Sequence, residues 1–234
     1  MHDVYIQVAR GGPPGDSSVE RAYRALRQEI VAGVHPPGTP LSESLLARAL
    51  GVSRTPVREV LARLHHEGYL DRLAGRGYFV TQITVQLIHD TFAVRRLLEG
   101  AAAAQAATAA TADEIARLRA LATYAYTVED ASAFHRAQTA NAAFHLGVAA
   151  AGRNVLAAEL IRRCLEQMDR FVSLGVGHAA VQQGATSEHE AIVEAIRRRD
   201  PEAARQAMEA HLDRSTRVMK EALMSGAAPL VGIA

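Results

Sequence analysis

Three histidines of this chain stand where helix periodicity expects apolar residues. Between residues 131 and 151 a stripe of Phe134, Gln138, Asn141, His145 and Val148 recurs in steps of four and three, the spacing of one helix face. His189 shares its face with Ile192, Val193 and Ile196, and His211 with Ala204, Met208 and Leu212. A buried imidazole needs partners for its ring nitrogens. One such residue is commonly a hydrogen-bonded core histidine. Three on the inward stripes of three helices are also a donor set for one shared divalent cation in a bundle core. Asn141 lies one turn before His145 on the same face.

A second group is basic. Arg54 and Arg58 are four residues apart and fall off the apolar stripe of Val57, Val60, Leu61 and Leu64, at the N-terminal end of their helix. Arginine there can grip guanine O6/N7 or a phosphate with two parallel hydrogen bonds. The hydroxyls of Ser53 and Thr55 suit phosphates. Arg76, between Gly75 and Gly77, stands at a turn tip from which it could enter a minor groove or touch a backbone. The plain alternative is a solvated helix surface, with Arg58 facing Glu59 or Glu67. Arg95 shares a face with Ile88, Phe92 and Glu99, and its plain reading is an intrahelical pair with Glu99.

The elements that must position these groups follow from caps and breaks. Residues 1–16, with Gly11-Gly12-Pro13-Pro14-Gly15, read as a flexible arm. Ser17 and Glu20 form a capping-box pattern ahead of Val19, Tyr23, Leu26 and Ile30, and Gly33 with Pro36-Pro37-Gly38 stops that helix. Ser42 opens a short helix with Leu45, Leu46 and Ala49 inward, ending at Gly51. Ser53 or Thr55 caps a third, with Pro56 in its first turn. Two strands, Tyr69–Leu73 and Tyr78–Gln82, flank a turn at 74–77. Three helices and a hairpin over residues 17–82 describe a winged helix-turn-helix. From Thr84 the pattern is helical throughout, and breaks near 111–113, 129–130, 152, 175–184 and 200–201 divide it into six helices. The expectation is a mainly α protein: an N-terminal winged helix-turn-helix and, over 83–226, a C-terminal all-α six-helix bundle.

Composition narrows the function classes. With 234 residues, 49% hydrophobic and 22% charged, and a formal net charge of +1, the chain is not that of a disordered protein. No run approaches the roughly 18 apolar residues of a membrane span, so no membrane partner is expected. One cysteine, Cys164, cannot form an internal disulfide and fits a reducing, cytoplasmic setting. Residues 1–82 carry 10 Arg and 8 acids, a balance of +2, against 16 basic and 17 acidic residues in 83–234, a balance of −1; the front half leans toward nucleic acid. There is no His-Glu-x-x-His, no Gly-x-Ser-x-Gly and no phosphate loop, and no enzyme is expected.

The string Leu41-Ser42-Glu43, Leu46-Ala47, Leu50-Gly51-Val52-Ser53-Arg54-Thr55-Pro56-Val57-Arg58-Glu59-Val60-Leu61, with Glu67-Gly68 and the wing Gly75-Arg76-Gly77, resembles the DNA-binding domain of the GntR family of bacterial transcription regulators over about Tyr23 to Thr81. The resemblance implies DNA contacts from Ser53, Arg54, Thr55 and Arg58, with Gly75 and Arg76 at the wing. Ser44 stands where relatives often carry a DNA-contacting arginine. Asn141-Ala-Ala-Phe144-His145, Gly152-Arg153-Asn154, His189, Ala195-Ile196, Asp200, Ala203-Ala204 and His211-Leu212 resemble the FCD effector domain of the FadR subfamily, and six helices resemble its VanR-like group.

That second resemblance implies a divalent metal, zinc or another late first-row ion, held by His145, His189 and His211, with Asn141 where metal-binding members carry Asp. It places Arg95 beside the effector pocket, gripping a carboxylate that also reaches the metal, so the implied effector is a small organic acid. It further implies a homodimer that sets two reading heads on an inverted-repeat, double-stranded operator, as a repressor released by effector. Two other readings remain at this point. One is a metal-sensing regulator with the metal as effector. The other is a metal-dependent hydrolase with a DNA-binding head, which lacks an identifiable general base because Glu190 lies roughly 100° round the helix from His189.

Overall fold

The computed structural model describes residues 17–123, 131–173 and 185–225, without the side chains of 131–135 and 173. The proposed arm 1–16, the Phe134 side chain, and the 129–130 and 175–184 breaks lie outside the described residues. The chain divides into two compact units, Met1–Ile83 and Thr84–Ala234.

In the first unit α1 spans Ser18–Val31, with the Ser17 hydroxyl accepting from the Glu20 amide at 3.1 Å and with Ala22, Tyr23, Leu26 and Ile30 buried. β1 (Pro40–Leu41) leads into α2 (Glu43–Leu50), which Ser42 caps and Gly51 ends in the left-handed conformation. α3 spans Arg54–His66, and β2 (Leu70–Leu73) and β3 (Gly77–Val80) form the wing. The antiparallel sheet runs β1-β3-β2, pairing Leu41 with Tyr78 and Leu70 with Val80. β1 escaped the sequence reading because two residues, one of them an edge proline, carry no alternation. Leu26, Leu46, Val57, Leu61, Leu64, Tyr69 and Val80 fill a single core.

The inward face of α2 differs from expectation. Leu46 and Ala47 are buried, while Leu45 is 41% exposed and Ala49 is exposed. In a helix of barely two turns, periodicity cannot choose between adjacent faces. The packing of α2 on α3 chooses instead. Polar struts then fix α3 on α1. Tyr23 Oη donates to Glu67 Oε2 at 2.6 Å, and the Arg63 guanidinium binds Glu20 and Glu67 while lying 3.5 Å over the Tyr23 ring. Burial and the Glu67 carboxylate push the Tyr23 phenol up to about 12.

The second unit shows six helices among the described residues: α4 (Val85–Ala109), α5 (Ala112–Ala122), α6 (Ala131–Ala151), α7 (Val155–Ser173), α8 (Ala185–Arg197) and α9 (Pro201–Met224). Thr84 caps α4, a Thr111–Glu114 capping box opens α5, and Asp200 caps α9 ahead of Pro201. α4 is central and packs on α6, α7, α8 and α9. Its inward face changes character along its length, from Ile88, Phe92, Arg95 and Glu99 to Ala102, Ala103, Ala106 and Ala107. The small residues admit close neighbours: a Cβ at Gly152, after α6, would meet the Ala102 carbonyl oxygen at 2.9 Å. Among the described residues no helix is long and apolar enough to cross a membrane.

Candidate nucleic-acid interface and metal centre

The first candidate site is the outer face of α3 with the wing. Val57, Val60, Leu61 and Leu64 are buried as their spacing predicts, which turns Arg54, Thr55 and Arg58 to solvent. Ser53 occupies the N-cap position of α3, yet its hydroxyl makes no capping hydrogen bond. That leaves both the hydroxyl and the first amides of α3 able to meet an anion. Arg54 has no hydrogen-bond or ion-pair partner among the described residues. Arg58 donates from Nε to Glu43 Oε2 at 2.7 Å, across to α2, rather than to Glu59 or Glu67 as the sequence suggested. At the wing, Gly75 and Gly77 hold φ of +72° and +88°, a conformation that side chains resist. The turn they make carries Arg76, whose guanidinium lies 5.5 Å from the Phe79 ring centre. A crevice of about 550 Å³ separates the first turn of α2 from the wing, with Glu43, Arg72, Gly75 and Tyr78 on its walls.

The second site lies inside the helical unit. α6, α8 and α9 bring His145, His189 and His211 together, all buried, with one ring nitrogen of each within 4.8 Å of the others. Ring centres are 5.3 Å apart for His145–His189 and His145–His211, and 4.7 Å for His189–His211. Phe144 stacks on His189 at 4.0 Å and closes one side. The sequence stripes therefore converge.

Two carboxylates that the sequence did not reveal as part of this site orient two of the rings. Glu99 Oε2 lies 2.5 Å from His145 Nδ1, and its other oxygen accepts from Arg95 Nε at 2.6 Å. Glu188 Oε2 lies 2.7 Å from His211 Nδ1, and its second oxygen pairs with Arg214 Nε. Each of these two imidazoles thus has an arginine–carboxylate pair at Nδ1, which leaves Nε2 as the nitrogen for a ligand. This is how metal-binding histidines are usually held. Arg95–Glu99 was legible as a four-residue spacing, but the step to His145 crosses helices. Glu188 precedes His189 in the chain and serves His211, a link no local pattern contains.

His189 has no such support. Both its ring nitrogens are buried without a hydrogen-bond partner among the described residues. A buried polar group left that way costs about 1–3 kcal/mol, so an orphaned imidazole facing two others asks for a ligand. Burial pushes all three imidazoles below the ordinary histidine range, His145 to about 4, which keeps them neutral with lone pairs to offer. Burial alone would raise the Glu99 carboxyl, but the Arg95 guanidinium and the His145 contact hold it down at about 2. The donor set suits a late first-row divalent cation.

Asn141 is half-buried, one turn before His145. Arg95 is 2% exposed; beyond its bond to Glu99, its Nη2 is buried without a partner. Its charge reaches all three histidines. The cluster therefore offers neutral donors and one unsatisfied guanidinium nitrogen, a setting for an anion beside a cation.

Comparison with known proteins agrees with both halves. Residues 18–80 match the family model "Bacterial regulatory proteins, gntR family", and residues 90–214 match the FCD domain. The chain is 28% identical over 198 residues to the HTH-type transcriptional repressor RspR of Escherichia coli K12, covering 82% of this chain and 85% of that protein. It is 29% identical over 227 residues to the galactonate operon transcriptional repressor of the same organism, covering 88% and 98%. Among solved structures, the GntR protein of Rhodococcus sp. RHA1 superposes with a TM-score of 0.70 at 25% identity, covering 90% of this chain and 99% of that one. A GntR family regulator of Pseudomonas syringae gives 0.54 at 26% identity, covering 94% and 92%.

Proposed function

The chain belongs to the gntR family of bacterial regulatory proteins, with an FCD domain, and is a DNA-binding transcription regulator rather than an enzyme; from that premise we propose that it is a repressor released from its operator by a small carboxylate bound beside a zinc-class metal. The observation that carries this reading is the pair of orphans in one buried cluster, the ring nitrogens of His189 and the Nη2 of Arg95. His145, His189 and His211 would hold the metal, with Asn141 beside them, and the metal when bound would supply a Lewis-acidic charge for a carboxylate oxygen. Arg95 would grip the other end of that carboxylate, while Glu99 and Glu188 keep the imidazoles aimed. Two relatives named as repressors, one of them for the operon of a sugar acid, support both the sign of control and the ligand class. A homodimer would place two α3 helices on an inverted repeat. Ser53, Arg54, Thr55 and Arg58, with Gly75 and Arg76 at the wing, would meet the DNA.

The test is elemental analysis of tag-free protein beside a His189→Ala/His211→Ala double variant. About one metal per chain, lost in the variant, is expected; a metal-free protein that binds DNA and responds to carboxylates would overturn the metal half. Titrating chelating hydroxy acids against the protein on DNA from its own upstream region then tests the effector half. Release at constant metal supports it, and release by added metal alone would make the metal the effector.

A further inference from the structure

Arg54 and Arg58 stand one turn apart on the same exposed face of α3, yet the structure treats them differently. Arg54 has no partner among the described residues. Arg58 is tied by its Nε to Glu43 Oε2 at 2.7 Å, a bond that spans 15 residues and joins α3 to the first residue of α2. Glu43 is itself well anchored. It follows Leu41, which is buried and paired to Tyr78 in the sheet, and Ser42, which caps α2. The carboxylate also stands at the positive end of the α2 dipole.

We propose that Glu43 is a positioning residue for sequence reading: it fixes the Arg58 guanidinium so that its Nη1/Nη2 edge presents to one guanine per half-site, while Arg54 serves the phosphate backbone. The inference rests on the reading of α3 as the DNA-reading helix. A guanidinium has five N–H donors in a rigid fork. One bond at Nε leaves the two-nitrogen end intact, and that end matches guanine O6 and N7. Holding a long side chain beforehand removes part of the ordering cost of binding. A phosphate needs no such aim, because it attracts by charge from many directions. Glu43, an acid on the wall between α2 and the wing, repels phosphates, so it weakens non-specific binding to DNA. A residue that only tied two helices together would not couple these two effects.

The test uses the full chain, with duplexes selected by the wild-type protein from a randomised pool. Glu43→Ala and Glu43→Gln are compared with wild type and with Arg58→Ala. Both Glu43 variants should unfold within a few degrees of the wild-type temperature, because Arg58 is exposed and Glu43 only half-buried. They should bind non-specific duplex as tightly or more tightly, while discrimination at one base pair per half-site falls on the order of tenfold. Arg58→Ala should lose the same base pair, and the double variant should lose nothing further there. Unchanged discrimination in Glu43→Ala, with that position lost in Arg58→Ala, would overturn the proposal and leave the α3 reading intact. Unchanged discrimination in Arg58→Ala would overturn both.

Discussion

The two units contain the same chemical pair in opposite settings. In the winged unit Arg58 and Glu43 meet at 2.7 Å with side chains 68% and 33% exposed. In the helical unit Arg95 and Glu99 meet at 2.6 Å with side chains 3% and 1% exposed. In water such a pair is worth about 0–1 kcal/mol, and losing one partner leaves the other well solvated. In a core, losing one partner strands a charge at a cost of about 3–5 kcal/mol. The contrast shows how each unit displays its function. A surface can hold side chains ready for a ligand at little cost, so Arg54 without a partner proves nothing by itself. An interior satisfies nearly everything, so orphaned groups that lie together in one cluster, at His189 and Arg95, support the proposed ligand site.

The largest expected effect tests that difference directly. Glu99→Ala, which strands Arg95 and frees His145, should lower stability by about 3–5 kcal/mol in urea unfolding, while Glu43→Ala should change it by less than about 1 kcal/mol. Equal losses would break the comparison.

pH should separate the units next. In chelator-treated protein, folded His145 sits near 4 and folded Glu99 near 2, below their ordinary values of 6.5 and 4.5. Between each pair of values the unfolded chain binds more protons, so stability falls with pH, from 6.5 toward 4 through His145 and from 4.5 toward 2 through Glu99. Tyr23 works the other way. Its phenol is raised from 10.0 to about 12, so its contribution is present below 10 and is lost as pH climbs toward 12. Hydrogen exchange read by mass spectrometry should show acid loosening α4 and α6 first, and alkali loosening α1 against α3. Acid loosening confined to the winged unit would contradict the assignment.

A smaller effect comes from the support of His211. Glu188→Gln keeps the shape and weakens the hold on the ring, and metal affinity by competition with a chelator should drop about 10–100-fold. The smallest effect on stability belongs to Arg58→Ala, within about 0.5 kcal/mol of wild type in the same urea assay, although it should erase discrimination at one base pair per half-site in a gel shift. A large stability loss there would make Arg58 a structural residue.

Much of the fold was legible because it is local. Ser17, Ser42, Thr111 and Asp200 bond amides three residues on, and Val57, Val60, Leu61 and Leu64 repeat at helix spacing. The failures share a cause. The inward face of the short α2 and the two-residue β1 depend on what they pack against, and their sequences are too short to encode a choice. Arg58 was matched to near neighbours in sequence, and its partner lies on another helix.

The sequence by itself determined the helices, the exposed face of α3 and the three histidine stripes, because period and capping are set within a few residues of chain. Only the tertiary structure decided that the three stripes meet, that Glu99 and Glu188 stand behind His145 and His211, that His189 is left without a partner, and that Glu43 holds Arg58. Each of those facts depends on which helices become neighbours, and burial then decides what the contact is worth. The same arginine–glutamate pair is an exposed contact between α2 and α3 in one unit and a buried charge pair in the other.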